Sequence, residues 1–224
     1  MGATMIYEHL ERARTILNDL VDYSHRPEEL VKQRCNYSTH ELAWLWEQYK
    51  DRPLDFYRET ELYIYDLTKY QANIVPTVNY MVDLAQTNKM KKILDLGGGI
   101  GEYSIRMLQE LEGADVTFLE LTDSKTLEYA KYRFEKHGVK PIIVGEDFDW
   151  QSQEWDCVIA MDVIEHMVQE VADKTVKALR EKAKFVFANP TSPQYTEMYP
   201  QHITRYSLDG FTRIDVNLYK NIKI

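Results

Sequence analysis

Residues 93–104 read Ile-Leu-Asp-Leu-Gly-Gly-Gly-Ile-Gly-Glu-Tyr-Ser, and this stretch decides the fold class. A short apolar run leads into Asp95, and glycines then occupy the alternate positions 97, 99 and 101, with Gly98 between the first two. The following segment, 103–111, has apolar residues at helical spacing. The pattern predicts a strand that ends in a tight glycine turn and continues as a helix. Such a turn lets a ligand approach the backbone closely, because no Cβ stands in the way.

After residue 88, short apolar runs alternate with helical stretches. The predicted strands are 92–96, 115–120, 142–144, 156–161 and 183–188. The predicted helices between them are 103–111, 124–137 and 168–180. Strands that are apolar throughout fit a sheet covered on both faces, and strand–helix alternation gives parallel pairing. We therefore expect an α/β fold with a doubly wound, mainly parallel, Rossmann-like sheet over 89–224, whose ligand site lies at the carboxyl ends of the strands.

The first 88 residues have helical patterns and form an N-terminal helical extension, which we treat as a separate region, 1–88. Ser38 and Glu41 have the spacing of a capping box, and 54–72 has the pattern of one long helical segment. Pro76 either interrupts that segment or opens the next helix. We expect this region to lie on the substrate side, as a lid, or to bind a partner, with a homodimer through these helices as one arrangement.

The composition limits the classes of function that the chain can have. The 224 residues carry a formal net charge of −9, which argues against broad contact with nucleic acid or an anionic membrane, since either needs a basic face. Cys35 and Cys157 lie far apart in sequence, as expected for reduced thiols in a cytoplasmic protein. No apolar stretch approaches the length of a membrane-spanning helix, and no signal-peptide pattern opens the chain. We expect a soluble, cytoplasmic protein.

The glycine spacing narrows the class of ligand. A dinucleotide fingerprint is Gly-x-Gly-x-x-Gly, but the position of its last glycine holds Glu102, whose carboxylate would repel a pyrophosphate. No lysine followed by Ser or Thr comes after the glycines, so the turn is not a P-loop. Asp95, two residues before the first glycine, suits a cationic or amine-bearing ligand. A nicotinamide dehydrogenase is therefore the weakest of the alternatives.

Acidic residues also mark the ends of the next predicted strands. Glu120 ends the second strand, where a carboxylate can accept hydrogen bonds from both ribose hydroxyls. Asp147 follows the third strand and can accept from an adenine amine, while Phe148 or Trp150 packs on the base. Asp162 follows the fourth strand. Parallel strands bring these carboxylates to one rim.

Together, 93–104, Glu120, Asp147 with Phe148, and the segment 155–166 (Trp-Asp-Cys-Val-Ile-Ala-Met-Asp-Val-Ile-Glu-His) resemble the class I S-adenosylmethionine-dependent methyltransferases. The last segment is especially similar to the small-molecule branch that includes quinone-biosynthesis enzymes. The resemblance covers about residues 89–190. It implies S-adenosyl-L-methionine as cofactor, S-adenosyl-L-homocysteine as product and methyl transfer to a small molecule.

The resemblance also implies a cofactor-binding set. The residues implied around the methionine part are Asp95, Gly97, Gly99 and Gly101. The residues implied around the ribose are Glu120 and its neighbour Leu121. The residues implied around the adenine and near the sulfonium are Asp147, Phe148, Met161 and Asp162. The family continues with a long helix and an antiparallel strand pair, whereas only about 34 residues follow Pro190 here. We therefore expect a shortened C-terminal edge, with a strand over 211–218 and a very short partner around Ile222 and Ile224.

Methyl transfer from a sulfonium is an in-line displacement, so alignment in a dry pocket matters most. A general base is needed only for some acceptors, and His166 and His202 are the candidate catalytic residues. Asp162, Glu165 and His166 resemble metal-ligand spacing, and His202 could join them. They lack the paired histidines of a helix-borne zinc site, so we expect no metal.

We expect the N-terminal helices and the loop 191–206 to build the acceptor pocket with an aromatic lid. The tyrosines of these regions are Tyr57, Tyr63, Tyr70, Tyr195, Tyr199 and Tyr206. The alternatives are a non-catalytic regulatory or scaffold protein that binds S-adenosylmethionine, and a protein methyltransferase. Room for an acceptor beside the sulfonium distinguishes an enzyme from a pocket filled by aromatic side chains.

Overall fold

The computed structural model describes residues 2–190, 197–215 and 217–222, in which five helices precede the first strand. The helices are α1 (Gly2–Ser24), α2 (Glu28–Tyr49), α3 (Pro53–Glu59), α4 (Leu62–Asn73), α5 (Val75–Thr87), α6 (Glu102–Glu110), α7 (Lys125–Lys136) and α8 (Gln169–Lys182). The strands are β1 (Lys92–Leu96), β2 (Asp115–Leu119), β3 (Ile142–Val144), β4 (Trp155–Ala160), β5 (Ala183–Ala188), β6 (Phe211–Asp215) and β7 (Leu218–Asn221). Two short 3₁₀ helices span Trp150–Ser152 and Ile164–His166.

The seven strands form one sheet in the order β3-β2-β1-β4-β5-β7-β6. Strands β1 to β5 pair in parallel, and β7 pairs antiparallel with both β5 and β6. The strand order reverses between β1 and β4, which places the ligand site at their carboxyl ends. The predicted doubly wound, mainly parallel sheet is confirmed, with the first five strands within one residue of their expected bounds.

A short hairpin completes the far edge of the sheet. The predicted strand 211–218 is two strands, because β6 ends at Asp215 and Leu218 already belongs to β7. None of the described residues between β5 and β6 is in a helix or strand, so the edge is short but has its full antiparallel pair. The side-chain amide of Asn221 donates to the carbonyls of Arg180 and Ala183, at 2.7 and 3.1 Å, and holds β7 to the end of α8. Ile222 follows β7, and Ile224 lies outside the described residues.

Two details of the N-terminal helices differ from the sequence prediction. The segment 54–72 is broken at Thr60, whose extended backbone ends α3 before α4 begins. The predicted capping box is wrong, because α2 runs through Ser38 without interruption. The Ser38 hydroxyl instead donates to the Cys35 carbonyl and to Asp66 Oδ1, each at 2.8 Å, so it ties α2 to α4. Pro76 opens α5, the second of the two roles considered for it.

The buried apolar side chains form clusters on both faces of the sheet and among the N-terminal helices. Helix α8 packs on one face, and α5 with α6 packs on the other. Helices α1 to α4 form a further cluster that includes Ile100 of the glycine turn and Tyr129 of α7, so this layer covers the carboxyl edge of β1 and β2. The division of the chain at residue 88 stays a prediction. In the described part of the chain, no helix is long and apolar enough to cross a membrane.

Candidate active site

The glycine turn between β1 and α6 has the backbone that its sequence predicts. Gly97, Gly99 and Gly101 have φ angles of +63°, +56° and +76°, which L residues rarely adopt. A Cβ on Gly97 would lie 2.3 Å from the Val163 side chain, so the turn can approach the loop after β4 only with glycine here. The turn therefore presents bare backbone at the point where the strand order reverses.

Glu120 closes one side of the turn. Its Oε2 accepts a hydrogen bond from the Gly99 amide at 2.7 Å, and its Oε1 accepts one from the Leu121 amide at 2.9 Å. Burial raises the pKa of this carboxyl to about 7, even though both amide hydrogen bonds favour the ionised form. Glu120 and Leu121 both line the cavity in front of the turn, as the ribose assignment requires.

Asp95 lies beneath the turn and does not line that cavity. Its Oδ2 accepts from the Ser104 hydroxyl at 2.6 Å and from the Ser104 amide at 3.2 Å. Burial raises the pKa of Asp95 to about 6. The carboxylate therefore holds the start of α6 against β1, and any effect on a ligand passes through the glycine backbone.

Glu102 does not face the ligand. It is 1% exposed and accepts from Arg12 Nε at 2.8 Å and Arg133 Nη2 at 2.6 Å. Arg133 also donates to Asp19 of α1 at 3.0 Å and to the Ile100 carbonyl of the glycine turn at 2.8 Å. The argument that Glu102 would repel a pyrophosphate is wrong, because two guanidinium groups neutralise its charge away from the cavity.

The cavity in front of the glycine turn measures about 360 Å³, within the range of small-ligand sites. Met161 and Asp162, which the sequence analysis places near the sulfonium, line it. Asp147 is exposed and Phe148 packs into the core cluster of the sheet, and neither lines the cavity. Their neighbours Glu146 and Trp150 do. Glu146 accepts from the Thr122 amide at 2.8 Å and forms an ion pair with Arg58, which joins the rim to α3.

A second cavity of about 280 Å³ adjoins the first and shares Tyr63, Tyr70, Asp162 and His166 with it. Helix α4 supplies one wall, and Tyr199, Gln201 and His202 supply another. Tyr57 lines the first cavity only, Tyr206 lines neither, and Tyr195 lies outside the described residues. Of the six tyrosines expected to form an aromatic lid, Tyr63 and Tyr70 therefore line both cavities, and Tyr199 lines the second.

Two histidines and an aspartate meet at the boundary of the cavities. His166 Nε2 and His202 Nε2 lie 4.0 and 3.9 Å from Asp162 Oδ1. His166 Nδ1 lies 2.9 Å from the Tyr57 hydroxyl and 3.3 Å from the Gln201 carbonyl. Burial, followed by the nearby charge of His202, lowers the pKa of His166 to about 4, so its imidazole is neutral at pH 7. The folded chain thus brings together three side chains that could hold a metal ion.

A family model described as a methyltransferase domain matches residues 93–184, a little under half of the chain. These residues are a methyltransferase domain. The match confirms the predicted family and, with it, S-adenosylmethionine as the cofactor. The resemblance to the quinone-biosynthesis branch stays a prediction. No curated protein matches the chain.

Solved structures similar to this chain include three methyltransferases. The methyltransferase domain of bacterial CtHen1-C is 20% identical, with a TM-score of 0.44 over 50% of this chain and 63% of that one. An S-adenosylmethionine-dependent methyltransferase from Clostridium acetobutylicum is 16% identical, with a TM-score of 0.43 over 50% and 48%. Magnesium protoporphyrin IX methyltransferase from Synechocystis, with bound S-adenosylhomocysteine, is 22% identical, with a TM-score of 0.45 over 55% and 58%. The chain therefore spans less than two thirds of each of these relatives.

Sequence reasoning missed the roles of Arg133 and Glu146 in this site. Arg133 gives no local signal, because its partners Asp19 and Glu102 are 114 and 31 residues away. The prediction named Asp147, whereas its neighbour Glu146 lines the cavity. The sequence shows where a short strand ends, but it does not show which of the following side chains faces the cavity. His202 was named as a possible neighbour of His166, but their contact depends on the path of an irregular loop, which hydrophobic periodicity does not describe.

Proposed function

We propose that the chain is an S-adenosylmethionine-dependent methyltransferase with a small-molecule acceptor. One observation carries the proposal: two adjoining cavities meet at Asp162 and His166, one in front of the glycine turn and one beneath α4. Glu120, at the first cavity, would hold the ribose of the cofactor, and Asp162, which lines both cavities, would lie toward its reactive end. The second cavity then provides the space for an acceptor that a non-catalytic binding protein would not need.

The residues of the first cavity fit the cofactor. The bare backbone of Gly97 and Gly99 would follow its methionine part, and Glu120 with Leu121 would hold the ribose. Trp150 offers an apolar face for the adenine, and Glu146 offers acceptor oxygens at the same rim, so we propose these two in place of Phe148 and Asp147. When bound, S-adenosylmethionine supplies an electrophilic methyl group next to a positive sulfur. Met161 and Asp162 would lie beneath that end, where a carboxylate suits the charge.

The second cavity supports a small acceptor with polar groups. Its volume of about 280 Å³ lies just below the usual range of small-ligand sites and leaves room only for a small molecule, and its lining includes Lys69, Asn189 and Tyr199. Arg58 and Tyr57 from α3 close the neighbouring rim through contacts with Glu146 and His166. The net charge of −9 gives no basic face for a nucleic-acid acceptor. His166 and His202 remain the catalytic candidates, because both imidazoles line this cavity.

Two further expectations remain proposals. A cytoplasmic location is supported by Cys35 and Cys157, both buried free thiols. A homodimer through the N-terminal helices is supported by large exposed apolar side chains on α1 and α2. These include Tyr7, Leu10, Tyr37 and Trp44.

The test follows a labelled methyl group. Purified protein is incubated with methyl-labelled S-adenosylmethionine and, in separate reactions, with the small-metabolite, protein and RNA fractions of a cell extract. We expect label in the metabolite fraction, its loss in Glu120→Ala, and its retention in Lys174→Met, a change on the exposed face of α8. Label in protein or RNA would overturn the small-molecule acceptor. Absence of transfer despite cofactor binding would overturn the enzymatic proposal in favour of a regulatory protein.

A further inference from the structure

The second cavity contains a carboxylate that the first cavity lacks. Asp66 of α4 lines the second cavity only, whereas Asp162 lines both. We infer that the methyl acceptor is a small organic cation and that Asp66 binds its ammonium group. The inference rests on the proposed function, because it names the class of acceptor for that same site.

The Asp66 carboxylate is held by one of its two oxygens. Oδ1 accepts hydrogen bonds from the Ser38 hydroxyl at 2.8 Å, the Thr39 hydroxyl at 2.6 Å and Lys69 Nζ at 2.8 Å. Among the residues that the structure describes, no group donates to Oδ2. The three bonds fix the carboxylate in place, so a ligand that binds to Oδ2 has little side-chain freedom to restrict.

Lys69 cannot offer a donor in place of this acceptor oxygen. Its ammonium has three N–H groups, and Nζ lies within hydrogen-bond distance of three oxygens, those of Asp66, Ser38 and Thr39. The cavity is therefore lined by the carboxylates of Asp66 and Asp162 and by one ammonium that is already bound. Asp162 would face the sulfonium, so Asp66 is the carboxylate left for a positive charge on the acceptor.

Aromatic rings surround the same space. Tyr63, Tyr70 and Tyr199 line the second cavity, and Tyr199 stacks on His202 with ring centroids 5.2 Å apart. Burial, followed by the charges of nearby groups, raises the pKa of Tyr63 and Tyr70, so both phenols are neutral at pH 7. The face of a neutral phenol ring attracts a cation. The rings therefore favour an ammonium over an uncharged hydroxyl in this cavity.

A second acceptor atom lies in the loop that forms another wall of the cavity. Gln201 is 4% exposed, and its Oε1 is buried without a hydrogen-bond partner among the described residues. Buried polar atoms usually have a partner, so this oxygen calls for a donor. A protonated primary amine carries three N–H donors, whereas an alcohol carries one. A primary or secondary amine thus fits the set of acceptors better than an alcohol does.

The test divides the acceptors of a cell extract by charge. The small-metabolite fraction is passed over a sulfonate cation-exchange resin at pH 7, which gives an unbound fraction and a salt-eluted fraction. Each is incubated with the protein and methyl-labelled S-adenosylmethionine, and labelled products are separated from the cofactor by chromatography. We expect transfer with the eluted fraction and none with the unbound one.

Two matched variants test the role of Asp66. In Asp66→Asn, the amount of eluted fraction that gives half-maximal transfer should rise at least about 10-fold, as expected for the loss of one charge-assisted hydrogen bond. Asp83→Asn makes the same change at an exposed position of α5 and should behave as the wild type does. Urea midpoints and the affinity for S-adenosylhomocysteine, which Asp66 does not contact in the first cavity, show whether each variant is folded.

The outcomes separate this inference from the proposed function. Transfer with the unbound fraction alone would overturn the cationic acceptor and leave the small-molecule methyltransferase standing. Wild-type half-saturation in folded Asp66→Asn would do the same. Lack of transfer with either fraction, although S-adenosylhomocysteine binds, would overturn the proposed function and this inference with it.

Discussion

Arg133→Met removes the charge that joins the N-terminal helix to the glycine turn. Arg133 is completely buried and donates to Asp19, Glu102 and the Ile100 carbonyl. Methionine fills a similar volume but donates no hydrogen bond. The change therefore leaves two buried carboxylates and one carbonyl of the ligand-binding turn without this partner.

The expected loss follows from the remaining partners. Removing one partner of a buried ion pair destabilises a protein by about 3–5 kcal/mol. Here Glu102 keeps Arg12, and Asp19 keeps His137 at 2.8 Å and Lys136 at 3.1 Å. We therefore expect a loss near the lower limit, about 3 kcal/mol in the free energy of unfolding. The double variant Arg133→Met/Glu102→Gln should lose less free energy of unfolding than Arg133→Met alone. The second change removes a buried carboxylate that the first one deprives of its Arg133 partner.

Urea unfolding followed by circular dichroism measures these differences. Lys174→Met makes the same kind of change on an exposed ion pair of α8 and should leave the midpoint nearly unchanged. The reasoning is refuted if Arg133→Met unfolds at the midpoint of Lys174→Met. It is also refuted if the double variant is less stable than the single variant.

Three other changes test separate parts of the site. Because burial raises the pKa of Glu120 to about 7 and ribose hydroxyls bond to the ionised form, affinity for S-adenosylhomocysteine should rise about 10-fold from about pH 6 to pH 8. Calorimetry should find no such rise in Glu120→Gln. Gly101→Ala places a Cβ 2.5 Å from Phe134 and should destabilise the fold more than Gly138→Ala, which has a similar positive φ but open space around it. Ser104→Ala takes the hydroxyl donor from buried Asp95 and should lower the free energy of unfolding by about 1–3 kcal/mol, measured in urea.

The sequence predicts the sheet well because its strands are short, apolar and bounded by clear turns. The glycine turn is equally well determined, since its positive φ angles demand glycine at 97, 99 and 101. The break at Thr60 was missed because apolar spacing continues through it from Phe56 to Leu62. The split of 211–218 was missed because alternation also continues across a tight reversal.

The site was less predictable than the fold, because its side chains pair with residues that are distant in sequence and close only in the folded chain. Asp95 and Glu102 were both expected to act on the ligand by charge, yet each is satisfied by protein groups, Ser104 in one case and arginines in the other. Glu120 was predictable, because a residue at the end of β2 must face the turn after β1. The sequence analysis named Asp162, His166 and His202 together, but the distances among them depend on a loop path that only the folded chain provides.

The most direct test of the central claim is a calorimetric comparison of S-adenosylhomocysteine with NAD⁺. The account predicts saturable binding of one S-adenosylhomocysteine per chain and no saturable binding of NAD⁺. Glu120→Ala should weaken the first by about 1.5–3 kcal/mol, roughly 10- to 150-fold. Tight NAD⁺ binding, or failure of S-adenosylhomocysteine to bind the wild-type protein, would contradict the assignment of the glycine turn to an adenosyl–sulfur cofactor.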